Sequence, residues 1–149
     1  MTIRLLSVVC ALLMATAITS TGAVAAGKEH NLVIHVDEND KQKMTIALNM
    51  VEQTIKLWEA RGDTVKFEIV AHGPGLHMLR ADTSPVRKRI GLMSTQIEGL
   101  RFSACANTMR RVKAKEDKEV KLLPEAEPVP GGVFRIMQLQ EAGYSYIRP

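Results

Sequence analysis

Cys105 is the residue whose type and position could do the most chemistry. It closes an alternating run in which Leu100, Phe102 and Ala104 point one way and Arg101, Ser103 and Cys105 the other, and Ala106-Asn107-Thr108 follows as a helix start. A thiol where a strand meets a helix lies beside backbone N–H groups that no carbonyl of the helix satisfies. Such groups stabilise a thiolate and lower the thiol pKa. Arg110 and Arg111 stand one turn on and add positive potential if they face back. Three readings stay open on the residues alone: a working thiol, a link between two chains, or a small buried hydrophobe.

A second feature is the turn His72-Gly73-Pro74-Gly75. Glycines let a backbone approach a ligand closely at a helix start, so this turn could hold an anion, with His72, Gly73 and Gly75 as its candidate residues. It matches neither the P-loop nor the dinucleotide fingerprint, and a plain structural turn has the same composition. His35, His72 and His77 invite a metal reading, but His72 and His77 lack the i, i+4 spacing of a helical pair and no second ligand type stands near, so no metal site is expected. No nucleophile-elbow pattern for a serine triad is present.

The start of the chain changes how Cys105 is read. Arg4 gives a short positive beginning, residues 5–18 are almost wholly apolar, and Ala23-Val24-Ala25 supplies the small residues of a cleavage site. Residues 1–26 therefore read as a secretory signal peptide, with cleavage before Ala26 or Gly27. The apolar run is shorter than the ~20 residues of a membrane span, so no anchor is expected after cleavage. Cys10 lies within this segment, too early and too apolar in its surroundings for lipid attachment. Of two cysteines, the exported domain keeps one. Exported proteins normally pair their thiols, which makes a single cysteine unusual.

Residues 27–149 are enough for one domain with its own core. Loss of Arg4 leaves a formal charge of +3, an excess too mild to name a partner. The basic run Arg110, Arg111, Lys113, Lys115, Lys118 and Lys121 is interleaved with Glu116, Asp117 and Glu119 and has no aromatic platform. It reads as a solvated face, not a nucleic-acid surface.

The elements that must position these residues alternate between strand and helix. Residues 32–36 form a β-branched run. A helix capped by Asn39 or Asp40 follows, with Met44, Ala47, Leu48, Val51, Ile55 and Trp58 on one face and Gly62 as its stop. Ile46, Met50 and Leu57 form a second apolar flank, which suggests contact with another subunit. Strands are expected at 65–71, 100–105, 120–123 and 144–147. Ser84 and Pro85 are expected to open a helix carrying Val86, Ile90, Met93 and Ile97. Residues 128–132 read as a rigid turn before a last helix with Val133, Ile136, Met137 and Gln140 on one side. Regular alternation of this kind predicts an α/β fold with a mostly parallel sheet covered on both faces. In such a sheet, sites form at the carboxyl ends of the strands, where Asp37, the 72–75 turn and Cys105 all fall.

Four runs, taken in order, resemble the DsrE/DsrF-like sulfur-relay family, in particular its exported members: Ile34-His35-Val36-Asp37-Glu38, Ala71-His72-Gly73-Pro74-Gly75, Phe102-Ser103-Ala104-Cys105-Ala106-Asn107-Thr108-Met109, and Val129-Pro130-Gly131-Gly132 with residues 139–149. The resemblance implies a three-layer α/β/α domain with about five parallel strands, assembled as a trimer or hexamer. It also implies a sulfurtransferase-like carrier that holds sulfane sulfur as a persulfide on Cys105, which the signal peptide would place in the periplasm although the better understood carriers of the family are cytoplasmic. Donor and acceptor proteins would be its partners, and no metal or organic cofactor would be needed. On this reading Asn107 and Arg110 join His72, Gly73 and Gly75 around the sulfur. The alternative from a different class is a non-catalytic oligomer that binds a small anion at the same loops.

Overall fold

The computed structural model describes residues 27–149; the expected signal peptide, residues 1–26, lies outside the described residues. Five strands alternate with helices: β1 (Glu29–Val36), α1 (Lys41–Glu59), β2 (Thr64–Ala71), a 3-10 helix (Gly73–Met78), α2 (Arg87–Gln96), β3 (Leu100–Cys105), α3 (Ala106–Glu116), β4 (Ala126–Val129), α4 (Gly132–Glu141) and β5 (Ser145–Ile147). The sheet order is β4-β3-β2-β1-β5, and every neighbouring pair is parallel. The chain builds outward from β1 to β4, then crosses back to set β5 on the other side of β1. That reversal makes the β1–β5 boundary the sheet's topological switch point.

Side-chain alternation divides the core in two. Leu32, Ile34 and Val36 of β1, Val65, Phe67, Ile69 and Ala71 of β2, and Phe102 and Ala104 of β3 face the larger core. Met44, Ala47, Leu48 and Val51 of α1 meet them there, with Ile90 and Met93 of α2 and the half-buried Met109 and Val112 of α3. Each large apolar side chain fully buried contributes about 1.5–3 kcal/mol. On the opposite face Val33 and Val70 pack under Ile136 and Leu139 of α4. This smaller core holds a single helix over the face that carries Cys105.

Local chemistry explains most boundaries. Asp40 caps α1, its Oδ1 accepting the backbone N–H of Gln42 at 2.6 Å and of Lys43 at 3.2 Å. Gly62, at φ +78°, turns the chain away after α1.

Several expectations need correction. Residues 120–123 form no ladder strand; Leu122 makes only an isolated antiparallel bridge to Arg80, and the fourth strand is β4, which contains Pro128. Pro128 is tolerated because β4 is a short edge strand, with one side free of a partner. Ser84 and Pro85 do not open α2: the cap position is Val86, and the Ser84 hydroxyl donates instead to the Met78 carbonyl oxygen at 2.5 Å. In α4 the inward residues are Gly132, Ile136 and Leu139, whereas Val133, Phe134 and Met137 are exposed. The second apolar flank expected on α1 is present: Ile46 and Met50 are half-buried, Met50 against the larger core, and Leu57 is exposed.

Candidate functional site

β3 delivers Cys105 to the start of α3, where it takes the cap position with extended backbone, φ −68° and ψ 108°. Its sulfur accepts the Thr108 backbone N–H at an N···S distance of 3.4 Å. Burial alone would raise the thiol pKa, yet the net shift is downward. The Thr108 hydroxyl and the backbone N–H groups of Thr108, Gly132 and Asn107 all favour the thiolate. Asn107 and Thr108 open α3 and Gly132 opens α4, so two helix N-termini converge on one sulfur.

Glycines make this convergence possible. A Cβ on Gly132 would lie 2.6 Å from the His72 Cβ, so the first turn of α4 can reach the site only without a side chain there. A Cβ on Gly75 would lie 2.2 Å from the Val36 carbonyl oxygen; this glycine lets the 3-10 helix pack on the end of β1. The Gly73 N–H donates to the Thr108 hydroxyl oxygen at 3.0 Å, linking the loop after β2 to the helix after β3.

His72 follows β2 in extended backbone, and its N–H continues the ladder to the Val36 carbonyl at 3.1 Å. Its Nε2 lies 2.6 Å from the Nε2 of His35, and the His35 Nδ1 lies 2.8 Å from the Tyr146 hydroxyl. Burial and the neighbouring His72 hold the His35 pKa below its ordinary value. At the rim, Arg148 donates to Asp37 at 2.9 Å and to Glu38 at 3.3 Å, tying the C-terminal segment to the end of β1.

The predicted residues are therefore brought together unequally. Cys105, His72 and Gly73 lie at the ends of the neighbouring strands β3 and β2, and Gly75 packs beside them on the end of β1. Asn107 contributes its backbone N–H, while its side-chain oxygen accepts from the exposed Arg110 at 3.2 Å. Arg110 is thus turned along its own helix, and Arg101, on the cysteine face of β3, pairs with Glu127 at 2.9 Å. The thiolate is stabilised by N–H and O–H dipoles in the main. His77 bonds Thr83 at 2.8 Å and takes no part in the His35–His72 pair. No group of three potential metal-ligating side chains occurs among the described residues.

Residues 28–149 match the DsrE/DsrF-like family. The chain belongs to that family. A solved structure of a protein of unknown function from Methanobacterium thermoautotrophicum is similar: 32% identical, with 80% of this chain and 99% of that one covered, and a TM-score of 0.68. No curated protein matches the chain significantly.

In this DsrE/DsrF-like domain the site rests on a buried ion pair invisible in the sequence. Glu68, 1% exposed on β2, accepts two bonds of 2.7 Å from Arg135 of α4 and one of 2.6 Å from Ser103. Burial pushes the Glu68 pKa up, but Arg135 and Ser103 outweigh it and hold it below the usual carboxylate value. Paired in this way, the carboxylate fixes the helix that presents Gly132 to Cys105.

Proposed function

We propose that the protein is an exported sulfur carrier that holds sulfane sulfur as a persulfide on Cys105. The observation that carries this reading is the convergence of two helix N-termini and the Thr108 hydroxyl on one thiol. A sulfur carrier needs a thiolate for attack and a stabilised anion once loaded, and this arrangement supports both. Cys105 thiolate would attack the outer sulfur of R–S–SH. A Cys105 S–S bond forms, the bond from that sulfur to R–S breaks, and the electron pair leaves on R–S⁻. Delivery to an acceptor thiol reverses the step.

The domain 27–149 would act in the periplasm after loss of residues 1–26, as a trimer or hexamer, with donor and acceptor proteins as partners. Exposed apolar side chains gather on α4, where Val133, Phe134 and Met137 follow directly on the helix start that reaches Cys105. Burial of that surface between protomers would enclose the cysteine.

A second reading, non-catalytic binding of a small anion by the same N–H groups, draws on the low exposure of Cys105, 5%. The intact mass of protein purified from its native compartment tests the first reading. A gain of about 32 mass units that reductant removes is expected for a persulfide. A doubled mass that reductant halves would instead mean a disulfide between chains, and would overturn the carrier reading.

A further inference from the structure

β1 and β2 each bring a histidine to the face that α4 covers. The β2–β3 register pairs Ala71 with Ala104, and continuing it by one residue sets His72 beside Cys105. His72 keeps extended backbone, so alternation places both side chains on the same face, on strands about 4.8 Å apart. Gly132 borders both: the His72 ring packs against it, and its N–H favours the Cys105 thiolate.

From His72 a hydrogen-bonded chain runs outward through His35 to Tyr146, which is 41% exposed. Two Nε2 atoms that face each other at 2.6 Å hold one proton between them. The chain therefore has two complementary forms. In one, Tyr146 O–H donates to His35 Nδ1 and His35 Nε2–H donates to His72 Nε2, which leaves His72 with its proton on Nδ1. In the other, His72 Nε2–H donates to His35, His35 Nδ1–H donates to Tyr146, and the His72 Nδ1 is bare. Passage from one form to the other moves a proton the length of the chain. Asp37 and Arg148 are the charged groups beside His35, and they oppose each other in their effect on it.

We propose that Tyr146, His35 and His72 form a proton wire serving Cys105, in which His72 protonates the thiolate expelled when Cys105 attacks a sulfur–sulfur bond. The substrate named here rests on the sulfur-carrier reading. The new bond joins Cys105 to the attacked sulfur, the old bond breaks with its electron pair on R–S⁻, and the His72 Nδ1 proton converts R–S⁻ to R–SH. His72 is refilled from His35, His35 from Tyr146, and Tyr146 from water. On delivery the acceptor thiol returns its proton to the bare nitrogen and attacks the outer sulfur as thiolate. His72 is then the catalytic acid and base, while His35 and Tyr146 position and supply it.

An alkyl thiolate is a poor leaving group and gains from protonation, whereas an aromatic thiolate leaves without help. The test uses the mature protein with glutathione disulfide and with a nitrobenzoate disulfide at neutral pH, comparing wild type, His72→Gln and Tyr146→Phe. For His72→Gln the expected loss is about 100-fold on glutathione disulfide. On the aromatic disulfide it should stay within about threefold. Tyr146→Phe should show a smaller loss with the same selectivity. Equal losses on both disulfides, or none on glutathione disulfide, would overturn the wire. Should His72→Gln fail to fold, as read by thermal melting, His35→Gln replaces it under the same criteria. Wild-type uptake of sulfur from glutathione persulfide is measured beside these reactions. Absent uptake with selective losses sinks the carrier reading and leaves the wire standing.

Discussion

Gly73 and Thr108 are joined across the ends of two neighbouring strands: the Gly73 N–H donates to the Thr108 hydroxyl oxygen at 3.0 Å. With its oxygen occupied as an acceptor, that hydroxyl has its own hydrogen available for the Cys105 sulfur, where it favours the thiolate. Thr108→Val removes the O–H donor and keeps the backbone N–H. The midpoint of Cys105 alkylation against pH should rise in this variant, and the rate at neutral pH should fall severalfold. Thr108→Ser should behave as wild type. Equal midpoints in Val and wild type would show that the backbone donors alone set the thiol.

The Glu68–Arg135 pair anchors α4, and breaking it should be costly. Arg135→Met leaves a carboxylate buried without its partner, a loss of about 3 kcal/mol, the lower end for buried pairs because Arg135 is itself partly exposed. The sign of the pH dependence follows from the depressed Glu68 pKa. Its stabilisation is fully present above the ordinary glutamate value of 4.5 and is lost as the pH falls through the lower folded value. Denaturant melts between neutral pH and pH 3 should show this acid loss in wild type and a weaker one in Glu68→Gln. Parallel curves would place the acid sensitivity elsewhere.

How much of this was legible in the sequence depended on distance along the chain. Asp40, Gly62 and the alternation of residues 100–105 act on their own neighbours, and the boundaries read from them hold. β4 was missed because a four-residue edge strand with Pro128 has no alternating signature. The buried side of α4 was misread because Gly132 is inward: a glycine packed on a histidine carries no apolar signal. Glu68–Arg135 and His35–His72 join residues 67 and 37 positions apart, and only strand register reveals such pairs. Cys105 stood out because it is both a thiol and the end of a strand.

The exposed apolar surface of α4 predicts assembly. Phe134 and Met137, more than half exposed in the single chain, would each contribute about 1.5–3 kcal/mol if fully buried between protomers. Sedimentation of the mature protein at micromolar concentration should show trimers or hexamers, and Phe134→Asp with Met137→Asp should release folded monomers. A wild-type monomer under those conditions would contradict the proposed assembly.

Export is decided at the N-terminus. Sequencing of the protein from its native host should begin at Ala26 or Gly27, after the small residues Ala23 and Ala25. Soluble protein beginning at Met1 would contradict export.

Loading from polysulfide followed by intact mass measurement shows whether Cys105 accepts and yields sulfur. The folded mature protein should gain about 32 mass units, return to its starting mass on addition of an acceptor thiol, and lose both changes in Cys105→Ser. A wild-type protein that keeps its mass in polysulfide, and takes up sulfur only after unfolding, would show that Cys105 is structural and that the carrier account is wrong.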